Sequence, residues 1–234
     1  MNLREAIDAL ESSVKSALEV AVKEVVESAL TDDKTPLRNA LALREASSLF
    51  GAGGDNPDVV VFGDLNDFKR LNDEFGYDAG DAAINEVGRL IQERLVNKCK
   101  AQAFRLSGDE FVILLSSRFL EDFEAEAGSF ASCLFQFEET TIETAMSFGF
   151  AVRQGEASYA ELQTNAEIAC KVAKSQGNKC VMWSEEIKRS VTDRLRARCT
   201  NCGAIIWCDV PQQAVPLNNR LVLCPCCGDS LVGD

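Results

Sequence analysis

The run Val59-Val60-Val61-Phe62-Gly63-Asp64-Leu65 constrains the fold more than any other segment. A β-branched apolar stretch ending in an acidic residue predicts a buried strand whose C-terminal end presents Asp64. Further along, Ser107-Gly108-Asp109-Glu110 is a tight polar turn between the apolar runs 103–106 and 111–115, which predicts a β-hairpin. Two carboxylates on a turn, beside one at a strand end, suit hard divalent cations, because Mg²⁺ takes oxygen ligands and leaves room for phosphate. That is the metal apparatus of phosphoryl transfer, where catalysis is mostly positioning and charge neutralisation. Asp64 by itself would read as a helix N-cap after a strand. Together with an acidic hairpin it reads as a metal ligand.

Around these segments helices and strands alternate. Leu3, Ile7, Leu10, Val14, Leu18, Val22, Val25 and Ala29 recur at three- and four-residue steps with Glu and Lys between them, predicting an amphipathic helix. Its narrow stripe fits either one strand of a coiled coil or a helix packed on its own domain. Helices are predicted over 36–50, 67–75, 79–97, 122–135 and 158–176, and strands over 59–64, 141–152 and 180–183. Residues 185–198 are charged with a helical pattern, and their basic end reads as a solvated linker. Two βα units flanking a hairpin point to an α+β domain whose antiparallel sheet carries helices on one side.

The last 36 residues form a separate module. Cys199-Thr200-Asn201-Cys202-Gly203 and Cys224-Pro225-Cys226-Cys227-Gly228 are two Cys-x-x-Cys-Gly knuckles, the spacing of a Cys₄ zinc site built from Cys199, Cys202, Cys224 and Cys227. Cys208 and Cys226 are spare candidates for the set. The apolar runs 204–210 and 221–223 would be ribbon strands, and structural Zn²⁺ would supply the folding free energy that so small a core lacks. Cys99, Cys133, Cys170 and Cys180 read as small apolar residues.

A formal net charge of −13 makes nucleic acid an unlikely main partner. The chain has no histidine, so mechanisms needing imidazole as base or ligand are excluded. Its first residues lack an export signal and no apolar run reaches the length of a membrane span. The expectation is a cytoplasmic protein without membrane contact.

Six motifs in order resemble the GGDEF-domain family of diguanylate cyclases. They are Thr35-Pro36-Leu37-Arg38-Asn39, the stretch Asp64 to Asp73, Phe75-Gly76-Tyr77-Asp78-Ala79-Gly80-Asp81, Ser107-Gly108-Asp109-Glu110-Phe111, Met146 to Ala151, and Lys174-Ser175-Gln176-Gly177. The resemblance implies the βαββαβ palm-like core of nucleotide cyclases over residues 32–186, after an N-terminal helix (1–31) and before a helical linker (187–198) and zinc ribbon (199–234). It implies that Asp64, Asp109, Glu110 and the carbonyl of Leu65 hold two Mg²⁺, with Lys69 and Lys174 on the β- and γ-phosphates. Phosphate oxygens would also meet the amides at the helix start around Phe68 and Lys69, close to Ser107, Gly108 and Tyr77. Asn72 and Asp81 match the residues that read guanine, and their donors and acceptors fit its N1–H and N2–H₂.

The chain departs from the family pattern at five points. Ser107 takes the first glycine position of the hairpin, Asn66 a usual aspartate and Tyr77 a histidine. Asn178 stands where an arginine would bind phosphate. The Arg-x-x-Asp product-inhibition motif would fall at Lys98-Cys99-Lys100-Ala101 and is absent. The resemblance implies a homodimeric, Mg²⁺-dependent enzyme that joins two GTP into cyclic di-GMP. The zinc ribbon, read from the cysteine spacing, would be a further protein contact. The alternatives are a degenerate domain acting as a nucleotide-binding sensor or interaction module, or a cyclase making another cyclic oligonucleotide.

Overall fold

The computed structural model describes residues 3–51, 56–177, 180–187, 195–199, 205–208 and 231–233. The chain divides into two compact units, Met1–Val181 and Met182–Asp234.

The first unit opens with helix α1 (Leu3–Leu30). Its stripe is bare, with Leu10 66%, Val14 59%, Leu18 62% and Val25 69% exposed, and Leu30 alone among its described apolar side chains is buried. Of the two readings left open, packing on its own domain is therefore not what this helix does. A bend leads to α2 (Ala40–Ser47), shorter than the expected 36–50. Asn39 sets its start by accepting from the N–H groups of Leu41 and Ala42.

Strand β1 (Val59–Leu65) lies at the centre of a five-stranded sheet of order β2-β3-β1-β6-β7. Its partners are β2 (Gln102–Ser107), β3 (Glu110–Leu115), β6 (Met146–Val152) and β7 (Cys180–Met182). The β1–β3, β1–β6 and β2–β3 pairs are all antiparallel. Helices α3 (Phe68–Phe75) and α4 (Tyr77–Leu90) follow β1. Val59, Val61 and Leu65 pack with Ala83, Ile84 and Val87 of α4 in the main core. Alternation sends Val60, Phe62 and Asp64 to the other face, which is covered by α7 (Tyr159–Ser175). Gly149 of β6 makes that contact possible, because a Cβ there would lie 2.0 Å from the Cys170 nitrogen. Helices thus cover both faces, not the single face expected. The β1 run has no polar alternation, so neither of its faces can meet water.

Other expectations shift at boundaries. The helix expected over 79–97 becomes α4, a π-helical stretch Ile91–Val96 and a last turn, α5 (Asn97–Cys99). The helix expected over 122–135 is α6 (Leu120–Ala127) and a 3₁₀ turn, Gly128–Ala131. It is followed by β4 (Cys133–Phe137), where Cys133 and Phe135 are buried and Leu134 and Gln136 exposed, a period of two. The single strand expected over 141–152 breaks at Ala145. Its first part, β5 (Thr140–Thr144), pairs with β4 in a separate hairpin, and only β6 joins the main sheet.

In the second unit residues 185–187 are helical, but the helix expected to continue to 198 gives way to β8 (Leu195–Cys199). This strand pairs antiparallel with β9 (Ile205–Cys208) and β10 (Leu231–Gly233). β9 falls inside the apolar run 204–210. The other expected ribbon strand, 221–223, and the expected ligands Cys202, Cys224 and Cys227 lie outside the described residues. No helix among the described residues is long and apolar enough to cross a membrane.

Candidate active site

The end of β1 and the β2–β3 turn bring three carboxylates together. Asp64 is the direct cross-strand partner of Glu110, so both side chains leave the sheet on the α7 face. The Leu65 N–H donates to the Asp109 carbonyl at 3.2 Å, pinning the turn to the strand end. Asp109 also reaches Asp64 side chain to side chain. Gly108 holds φ 54° and exposed Ser107 sits at a register shift beside it. Arg105 braces the turn from below. Its Nε donates to the Gly108 carbonyl at 3.0 Å and its Nη1 meets both Asp32 oxygens at 3.1 Å. Although burial opposes it, the Thr35 hydroxyl and the Arg105 guanidinium hold the Asp32 carboxyl below its ordinary value.

Burial raises the Asp64 carboxyl, Lys174 opposes the shift and Asp109 adds to it. Glu110 is also raised, by burial first and then by the charges of Asp64, Asp109 and Glu167. Crowded carboxylates of this kind have a charge excess that a cation relieves. Lys174 already supplies one positive charge. Its Nζ lies 2.6 Å from Asp64 Oδ1 and donates to the Leu65 carbonyl at 3.0 Å. The ammonium therefore occupies two oxygens expected for a divalent ion, instead of pointing out towards phosphate. Among the described residues no three acidic or thiol groups stand in chelating geometry. The fit to Mg²⁺ rests on two carboxylates in contact, a third across the strand pair and a main-chain carbonyl that already binds a cation.

Next to this cluster α3 begins at Asp67, which holds the left-handed conformation φ 53°, ψ 27°, and no side chain caps its first amides. Exposed Lys69 lies in the first turn, with Phe68 partly buried before it. Asn72 faces α4, where a Cβ on Gly80 would fall 1.9 Å from Asn72 Oδ1 and 3.2 Å from the Phe68 ring. Only glycine leaves room for that amide. Asn72 Oδ1 is buried and finds no hydrogen-bond partner among the described residues. Asp81, the next residue, pairs with Lys34 at 2.5 Å.

The expected residues thus fall into two adjoining groups. One comprises Asp64, Leu65, Asp109, Glu110 and Lys174. The other comprises Phe68, Asn72 and Asp81, and Lys69 is exposed in the first turn of α3. Tyr77 is 81% exposed at the start of α4, and Asn178 lies outside the described residues. Lys34, Arg105 and Glu167 are the participants that sequence reasoning missed. Lys34 and Glu167 act on site residues far away in the chain, and Arg105 ties the Gly108 carbonyl to distant Asp32, relations that no local pattern encodes. A cleft of about 390 Å³ runs along the other face of α3, lined by Asn66, Asp67, Arg70, Glu74 and Thr144 among others. It contains none of the three carboxylates.

Comparison with known proteins shows the family of the chain. The family described as diguanylate cyclase, GGDEF domain, matches residues 29–180. The bifunctional diguanylate cyclase/cyclic di-GMP phosphodiesterase MucR of Pseudomonas aeruginosa is 30% identical over 178 residues, covering 73% of this chain and 26% of that protein. Diguanylate cyclase DgcP of the same organism is 29% identical over 184 residues, with 75% and 27% covered. The chain spans about a quarter of the length of these curated relatives. The coiled coil and GGDEF domain of DgcB from Caulobacter crescentus, solved in complex with c-di-GMP, shares the fold. Its TM-score is 0.63 at 23% identity, over 77% of this chain and 100% of that one. A match running from the end of α1 to β7, over the carboxylate cluster and the α3–α4 pair, makes the chain a member of the GGDEF-domain family of diguanylate cyclases.

Proposed function

We propose that the chain is a diguanylate cyclase that condenses two GTP into cyclic di-GMP, with release of two pyrophosphates, across a homodimer. The convergence of Asp64, Asp109 and Glu110 at one end of the sheet, beside Lys174 and the start of α3, carries this reading. Asp64, Asp109, Glu110 and the Leu65 carbonyl would hold two Mg²⁺. When bound, the ions neutralise triphosphate charge and acidify the attacking 3′-hydroxyl. Lys174 then exchanges Asp64 for a phosphate oxygen, and Lys69 with the uncapped amides of α3 receives the others. Asn72 and Asp81 hold the guanine edge, which fixes the α-phosphate relative to the carboxylates.

One bound GTP gives one hydroxyl and one α-phosphate, so two sites must face each other. The bare stripe of α1 supports a second copy as its partner, and the domain span 32–186 is the catalytic unit. In the C-terminal module, Cys199, Cys202, Cys224 and Cys227 would bind structural Zn²⁺ and present a ribbon to a protein partner. This rests on their spacing and on the antiparallel β8–β9 pair. The test is incubation with each nucleoside triphosphate and Mg²⁺, with products identified by mass. Cyclic di-GMP from GTP alone is expected. GTP binding with no cyclic product would leave a nucleotide-binding module instead.

A further inference from the structure

We infer that Lys34 is a base-specificity residue, its ammonium taking guanine O6 while Asp81 takes the neighbouring N1–H. The inference rests on the reading of Asn72 and Asp81 as the guanine-binding pair and adds to it a residue outside those motif positions. Lys34 sits in the bend between α1 and α2, and its backbone is fixed on both sides. Its N–H donates to Asp32 Oδ1 at 3.2 Å, and its carbonyl accepts from Asn85 Nδ2 at 2.8 Å. Asn85 is one turn beyond Asp81 on α4, so the anchored backbone sends the lysine side chain along that helix. There Nζ meets Asp81 Oδ1 at 2.5 Å.

The pair has no evident structural duty. The two side chains are 40% and 48% exposed, and ion pairs that open to water add little stability. An ammonium has three donors and a carboxylate two acceptor oxygens, so one bond between them leaves each able to make others. Side by side they present a donor next to an acceptor. Guanine offers the complement, O6 as acceptor beside the N1–H donor. Adenine offers the reverse, an N6–H₂ donor beside the N1 acceptor, and would set donor against donor and acceptor against acceptor. A polar mismatch of this kind discriminates far better than a missing contact. Asn72 Oδ1, buried and without a partner among the described residues, completes the set by accepting from N2–H₂. Adenine lacks that group.

The test compares the unmodified protein with Lys34→Met, which keeps the length of the side chain, and with Lys34→Arg, which keeps its charge. Affinities for GTP, 6-thio-GTP and ATP are measured by competition with a fluorescent GTP analogue, and product formation is followed in parallel. Sulfur at position 6 is a weak acceptor. The unmodified protein should therefore prefer GTP over 6-thio-GTP by about tenfold, the scale of one charge-assisted hydrogen bond. Lys34→Met should lose that preference and narrow the GTP-to-ATP ratio, and Lys34→Arg should retain most of both. Unchanged ratios in Lys34→Met, or no guanine-nucleotide binding by the unmodified protein, would overturn the inference. The expected ratios without cyclic product would sink the cyclase reading alone. Normal product with ratios insensitive to Lys34 would sink this inference alone.

Discussion

Glu110 carries the conflict of the site in one side chain. Its carboxyl is raised because burial and three neighbouring carboxylates disfavour its charge. The folded state therefore holds the Glu110 proton to a higher pH than the unfolded state does. Stability is lost as pH rises through the raised value, and is unaffected well below both values. Glu110→Gln should escape that loss. Without Mg²⁺ its melting temperature at neutral pH should exceed the unmodified protein's by about 1–2 °C, a small gain because solvent screens the group. The difference should vanish in acid, and turnover should fall by at least about 100-fold with the loss of a metal ligand. A melting curve matching the unmodified protein at every pH would remove Glu110 from the carboxylate cluster. Gly80→Ala makes a complementary case. The new Cβ displaces the Asn72 amide oxygen, so guanine-nucleotide affinity should drop by about tenfold. Stability should hold or rise, since alanine favours a helix interior over glycine by about 1 kcal/mol. Calorimetric titration with GTP beside a thermal melt separates the two effects.

Elements were legible in the sequence where one local pattern decided them. The run at β1, the turn at residues 107–110 and the helix over 158–176, observed as α7 (Tyr159–Ser175), each needed only neighbours in sequence. The failures lie where the partner is distant. Residues 133–135 read as helix until their pairing with β5 imposes a period of two, and Ala145 divides one expected strand between two sheets. The site follows the same rule. Its carboxylates could be picked out because a strand end and a hairpin are local objects. The tie of Arg105 to Asp32 and the contact of Lys174 with Asp64 depend on how elements pack. Gly149 decides the second of these. It lets α7 lie directly on β6, and a methyl group there would strike α7 backbone atoms that cannot rotate away. Gly149→Ala should destabilise the protein by about 1–3 kcal/mol, the range for overpacking a rigid contact. It should also lower activity by moving Lys174 off Asp64. Denaturant unfolding with the usual stability would show that α7 can shift without consequence.

At the scale of the whole molecule, the open question is how two sites meet. α1 spans about 42 Å at 1.5 Å per residue and shows its apolar stripe to solvent along the described part of that length. At its far end the helix is tied to the catalytic unit. Asn39 donates through its backbone N–H to the Leu30 carbonyl at 2.9 Å and through Nδ2 to the Ala29 carbonyl at 2.8 Å. Asp32, two residues beyond the helix, reaches the hairpin through Arg105. A second copy pairing along the stripe would therefore hold two catalytic units near each other by a short, fixed connection. Such a tether acts by raising the local concentration of one site around the other. Removing residues 1–27 leaves Leu30 and both carbonyls held by Asn39, so the catalytic unit should fold and melt normally. Its specific activity should then fall steeply on dilution and recover at high protein concentration, whereas the full chain should hold its activity over the same range. Light scattering on both proteins should show the dimer lost in parallel. Specific activity of the shortened protein independent of concentration would mean that α1 does not bring the sites together.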